Sequence, residues 1–414
     1  MSGACPGGDD LRTGWCELRP VVSSRSTRLL RSRDGGGSRV TFIELFFDLV
    51  YVFAVTQLST HLSRHLTLGG AFETLLLLVA VWWAWIDTAW VTNWFDPDHL
   101  AVRILLLAVM LASLVMSAAL PAAFSDRGLV FASAYSAIQV GRVLFVVIAL
   151  GRQELGRNFQ RILAWRALAG VLWLAGGLGQ GTVRIAFWVA AVGVDVAAAA
   201  VGFATPGLGR SRTTEWTIEG GHLAERCQLF ILIALGESIL AIGATLAGLS
   251  LSLAAAAAFV VTFVGSVALW WIYFDRNAER AGQAIAATPD PGRLGRSAYT
   301  YFHLPMVGGI IVSAVAAELT IAEPFQHGAA ATTLTILGGP WLFLAGHALF
   351  KRAVWGRLSW PRIIAMVVLA CLVPAAALVP VLVLELAAVL VIGAVAAWET
   401  YARPPLAGVS APVT

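Results

Sequence analysis

Apolar stretches of about twenty residues recur along almost the whole chain, and this feature limits the fold more than any other. A helix rises about 1.5 Å per residue, so about twenty residues cross the roughly 30 Å of hydrocarbon in a bilayer. The breaks between stretches are short and rich in arginine, glycine and proline. In lipid each segment must satisfy its own backbone hydrogen bonds, so such runs read as helices. The sequence predicts twelve spans, at 41–61, 70–94, 102–122, 128–150, 162–180, 184–204, 223–247, 252–274, 298–320, 330–350, 362–379 and 381–401. Gly176, Gly177 and Gly179 thin the break between the fifth and sixth, and Pro374 and Pro380 blur the last pair, so ten or eleven spans are the alternatives.

Composition agrees. With 58% hydrophobic residues, 13% charged residues and a mean hydropathy of +0.79, a chain of 414 residues could not hide its apolar surface from water. The fold class expected is all-α, a polytopic helical integral membrane protein. Residues 1–40 hold seven arginines and no apolar core of a signal peptide, and they read as a disordered basic cytoplasmic tail. A second cytoplasmic tail is expected at 402–414 and a cytoplasmic linker at 205–222.

The formal charge of +4 comes almost wholly from arginine, Lys351 being the one lysine. Its distribution argues for membrane orientation and against nucleic-acid binding. An inside N-terminus puts 24 basic residues on the cytoplasmic side and leaves only Arg64, Arg127 and Arg184 on the other. That asymmetry predicts a cytoplasmic (inner) membrane protein with both termini inside. The four cysteines are scattered and show no ligand spacing, and of the seven histidines only His61 and His65 share a helical spacing. No metal site, cofactor or catalytic constellation is expected, and no nucleotide or hydrolase motif is present. The protein is therefore not expected to be an enzyme.

The first span, VTFIELFFDLVYVFAVTQL, carries Glu44 and Asp48. Four residues rotate a helix by about 40°, so both acids lie on one stripe that Tyr51 and Val55 continue. Acids inside a span are costly and are kept because they pair or because they act. Glu225 and Arg226 open the seventh span, and Glu237 lies twelve residues on, roughly 18 Å deeper. Arg142 in span four needs an acid, and Asp48, Asp87 or Glu237 could supply it. Asp87 itself, amid Trp83, Trp90 and Trp94, reads as an interfacial acid, and Trp82–Trp94 as part of an aromatic belt. His303 and His347 are expected as core histidines able to relay protons. Asp195 and Glu385 are expected to face the bundle, whereas Glu73 and Glu318 lie near span ends and read as solvated.

The two halves also resemble each other in order. Glu44 and Glu225 open spans one and seven; WWAWID (82–87) and WWIYFD (270–275) close spans two and eight. GRVLF (141–145) and GHALF (346–350) lie in spans four and ten, and RILA (161–164) and RIIA (362–365) start spans five and eleven. This predicts a parallel repeat of two six-helix units, 41–204 and 223–401.

Three stretches resemble the bacterial low temperature requirement A (LtrA) family: Glu44-Leu45-Phe46-Phe47-Asp48-Leu49-Val50, the tryptophan-rich Trp82–Trp94, and HLAERCQLFILIALGESI from His222 to Ile239. The resemblance runs from about residue 40 to 400. Cys227-Gln228 departs from the family-like pattern in the last motif. The resemblance implies a multi-pass bacterial inner-membrane protein and brings no catalytic residues. The function expected is a secondary transporter or ion-conducting protein that uses buried carboxylates, with the bilayer and a small ion or small molecule as partners. The alternative is a membrane scaffold or a lipid and cold-adaptation protein. The transport reading expects Asp48, Arg142 and Glu237 to share a polar cavity.

Overall fold

The computed structural model describes residues 29–31, 39–151, 153–212, 215–216, 218–250, 252–275 and 277–401, so most of the expected 1–40 tail and all of 402–414 lie outside the described residues. Twelve helices among the described residues are long and apolar enough to cross a membrane. In chain order they are α1 (Phe42–Arg64), α2 (Leu68–Trp94), α3 (Leu100–Ala119), α4 (Gly128–Leu150), α5 (Glu154–Leu178) and α6 (Gly181–Ala200). The second six are α7 (Gly220–Ala247), α8 (Leu253–Phe274), α11 (His303–Ala322), α12 (Ala330–Trp355), α13 (Trp360–Leu372) and α14 (Val381–Tyr401). Two short helices, α9 (Asn277–Ala287) and α10 (Pro291–Leu294), and a π-helical turn, Gly295–Tyr301, join α8 to α11.

The predicted span edges match these helices within a few residues at most ends. The eleventh span is α-helical only to Leu372 and finishes as a 3₁₀ turn, Val373–Leu378, and the fifth departs most. It begins eight residues earlier than expected, at Glu154, because the charged stretch Glu154–Arg161 continues the helix and docks: Arg161 Nε donates to the Leu208 carbonyl at 2.8 Å, and Asn158 is buried.

The helices run alternately up and down. Lower denotes here the end of the bundle at which α1 begins. α4, α5 and α6 pack side by side, as do α12, α13 and α14, while α1, α7 and α11 pack against one another. α2 touches α1, α4, α6, α7 and α11 and is the most enclosed span. α11 and α12 approach closely through glycine. A Cβ on Gly309 would stand 2.5 Å from the Phe343 nitrogen and 2.7 Å from the Gly339 carbonyl oxygen, so no larger residue fits that crossing. Many large apolar side chains elsewhere remain exposed, Phe42, Leu253 and Leu390 among them, as lipid-facing surfaces require.

Enclosure of α2 overturns the aromatic-belt reading. Trp82, Trp83, Trp85 and Trp94 are all buried. They pack against neighbouring helices because α2 has protein on nearly every side and no headgroups to face. Trp270 and Trp271 on α8 are each 41% exposed and do lie on the outer surface.

Candidate functional site: paired charges below, unpaired acids above

The π-helical turn illustrates how local backbone creates the site. Widening the helix here frees carbonyls from the i−4 pattern. The Thr300 carbonyl accepts the Trp82 indole N–H at 2.8 Å, and the Ala298 carbonyl lies 2.9 Å from His303 Nδ1. His303 Nε2 is 2.7 Å from the Tyr273 hydroxyl, so this histidine is fully engaged in the core.

Glu44 and Asp48 meet a matching pair on α7. His222 and Arg226 are also four apart, and the two stripes face each other as two rungs. His222 Nε2 lies 3.0 Å from Glu44 Oε1, and Arg226 donates to Asp48 Oδ1 at 2.8 Å. Glu44 also accepts from Arg31 at 2.8 Å and from the Thr41 backbone N–H at 2.9 Å, which caps α1. The Trp85 indole donates to Asp48 at 2.8 Å. Both acids are buried. Glu225, one residue before Arg226, faces away from these rungs; it is half-buried and accepts from the Val40 N–H at 3.3 Å.

Arg142 takes Asp87 as its acid, at 3.2 Å, and donates to Thr88 at 2.7 Å and the Ala84 carbonyl at 3.0 Å. Asp87 is also held by Arg166 at 2.5 Å, and Arg166 bridges to Asp195 at 2.5 Å. Tyr135 donates to the other Asp195 oxygen at 2.9 Å. The interfacial reading of Asp87 is thus corrected: it is the acid shared by two arginines on α4 and α5, and its side chain keeps only 22% exposure, toward a cavity. In the second half, Arg362 on α13 pairs with Glu399 on α14 and lies 2.8 Å from His347 Nδ1, while Lys351 reaches Glu399 at 2.7 Å. His347 therefore sits inside an ion network.

Glu237 belongs to different surroundings. It lies eleven residues beyond Arg226 on α7, about 16 Å higher by helix rise. It is 2% exposed and lies beside Ser59 of α1 and Glu318 of α11, and its Oε2 has no hydrogen-bond partner. Among the described residues no basic side chain pairs with it. Glu385 on α14 is buried in the same upper half, again with an oxygen lacking a partner. Glu318 is half-buried beside Glu237, and Glu73 lies 3.5 Å from His61 Nε2, so neither is simply solvated. The His61 and His65 rings lie 4.6 Å apart and tilted by 33°, and among the described residues no group of three or more metal-ligating side chains assembles.

The expected common cavity for Asp48, Arg142 and Glu237 is not formed. Asp48 is taken by Arg226, Arg142 by Asp87, and Glu237 stands on the upper half beside another acid. Sequence reasoning missed His222 and Arg166. His222 had a signal, its four-residue spacing to Arg226 mirroring that of Glu44 and Asp48. Arg166 had none, since it reads as one more basic residue near a span start.

A bundle of twelve apolar helices with buried ion networks defines a polytopic membrane protein. The model of the bacterial low temperature requirement A protein (LtrA) family matches residues 39–397, nearly the whole membrane region, and the chain belongs to that family. It is similar to an uncharacterized protein of Rhizobium meliloti (strain 1021), 41% identical over 334 residues that cover 80% of this chain and 81% of that protein. No solved structure matches.

Proposed function

We propose that the protein is a secondary transporter or ion-conducting protein of the bacterial inner membrane, with both termini cytoplasmic and no enzymatic activity. The observation that carries this reading is Glu237. A buried carboxylate with a second carboxylate beside it and, among the described residues, no cation lacks the charge compensation that low-dielectric surroundings demand. A mobile proton or cation would supply it. The lower half would then face the cytoplasm, which accords with the bias of arginines to that side. Two six-helix units in parallel, as the ordered motif matches suggest, would place the α1 and α7 rungs on the axis between them.

Static pairing of Glu44 and Asp48 favours the second reading, a scaffold or lipid-adaptation protein, for the lower part of α1 and α7. Flux separates the two. In proteoliposomes with an imposed pH gradient, Glu237→Gln is expected to abolish coupled proton or cation movement by about tenfold or more while the protein stays folded. Equal flux in parent and variant would leave the scaffold reading standing alone.

A further inference from the structure

The strongest unassigned feature is the cavity in the lower half beneath Asp87. It is a partly open cavity of about 90 Å³ among α2, α4, α5, α6 and the π-helical turn. Its walls are aromatic: Trp83, Trp90, Trp94, Phe159, Trp216 and Tyr301. These rings brace one another edge to face. Trp90 meets Trp216 at 6.0 Å and 87°, and Trp94 meets Phe159 at 5.5 Å and 89°. The polar part is small and charged, formed by Asp87, Arg142, Arg166 and Arg296.

Charge counting sets the sign of a ligand. Arg142, Arg166 and Arg296 carry three positive charges, and Asp87 with Asp195 behind it carries two negative ones. One positive charge is unmatched. Arg296 meets the Ala199 carbonyl at 3.0 Å and, among the described residues, no carboxylate. Arg166 keeps a sliver of exposure toward the cavity, while Arg142 stands wholly covered behind Asp87. An excess positive charge on the lining, with the Arg296 guanidinium free of any carboxylate among the described residues, favours an anion there.

Size sets the rest. An apolar cavity of about 150 Å³ holds benzene, so about 90 Å³ suits a smaller solute, and the partly open side lets the end of a short chain extend beyond it. We propose that this cavity binds a short-chain organic monoanion, with its carboxylate toward Arg166 and Arg296 and its apolar stem among the indoles. The proposal gives the transport reading its solute class and rests on that reading only for the step from binding to passage.

The test uses the full chain in nanodiscs with three probes of matched length: butyrate, n-butanol and butylammonium. Binding is read by calorimetry and by the fluorescence of the wall tryptophans. Butyrate is expected to bind saturably, with n-butanol weaker by about tenfold or more and butylammonium not bound. Arg296→Gln, at a half-buried position, is expected to weaken butyrate by about tenfold with little effect on n-butanol. Should that variant not fold, Trp216→Leu is expected to weaken both butyrate and n-butanol by loosening the wall. Saturable butylammonium binding in preference to butyrate overturns the proposal, as does butyrate binding that neither variant alters, or no saturable binding at all. Butyrate binding without butyrate flux in proteoliposomes would defeat transport and leave the site intact.

Discussion

The lower and upper halves of the bundle treat buried charge in opposite ways. Below, Glu44, Asp48, Asp87, Asp195 and Glu399 each have a cationic or histidine partner on a neighbouring helix. Above, Glu73 near the end of the bundle has His61 at 3.5 Å, but the deeply buried Glu237 and Glu385 have no such partner among the described residues, and the buried Arg184 is held by carbonyls, Ala123 at 2.8 Å and Ser125 at 2.6 Å. Desolvation penalises a lone charge heavily and a satisfied pair much less. The lower networks can therefore serve as fasteners between helices, fixing α1 to α7, α2 to α4 and α5, and α13 to α14. Glu237 and Glu385 fasten nothing, and they are the groups for which occupancy by a proton or cation would matter.

The largest break in this contrast should come from Arg166. Arg166→Met strips Asp195 of its cation and Asp87 of one of two, leaving buried charge uncompensated, and is expected to cost about 3–5 kcal/mol of unfolding free energy. Denaturant unfolding in detergent measures it. A loss below about 1 kcal/mol would mean the network is solvated in a way the burial of Arg166 does not allow.

The next prediction concerns one rung. Arg226→Met alone leaves Asp48 buried with only the Trp85 N–H, and is expected to cost about 3 kcal/mol. Adding Asp48→Leu removes the stranded charge, and the double variant should return to within about 1–2 kcal/mol of the parent. That recovery is the mark of a fastener. If the double variant is as unstable as the single one, the pair is not acting as an isolated unit, and coupling to Glu44 and His222 becomes the explanation to pursue.

The contrast also shows what the sequence could and could not disclose. Span existence and most edges were legible because twenty-residue apolar runs leave few alternatives in lipid. α9 and the π-helical turn were not: α9 buries Ala278, Ala281 and Ile285 on one face but is short and too polar to stand out beside the spans. The acids of α1 stood out because charge in an apolar run is rare. Their partners did not, because partner choice depends on which helices adjoin, and Arg142 had three acids to choose from. The tryptophans of α2 misled for a related reason: a ring near a helix end looks the same in sequence whether it meets headgroups or an interior cavity. Asp87, an acid set in the middle of that tryptophan run, was the clue that an interior was being lined.

The smallest effect is expected from Glu385, and its sign matters more than its size. It is 8% exposed and close to the bare backbone of Gly265 on α8. Glu385→Leu replaces a buried polar group that lacks one hydrogen bond with an apolar one of similar bulk, so stability should rise by about 1 kcal/mol in the same unfolding measurement. A fall of that size would place Glu385 among the fasteners and erase the division between the halves. A gain accompanied by lost flux would put it with Glu237: a group kept at a cost to the fold because something must pass it.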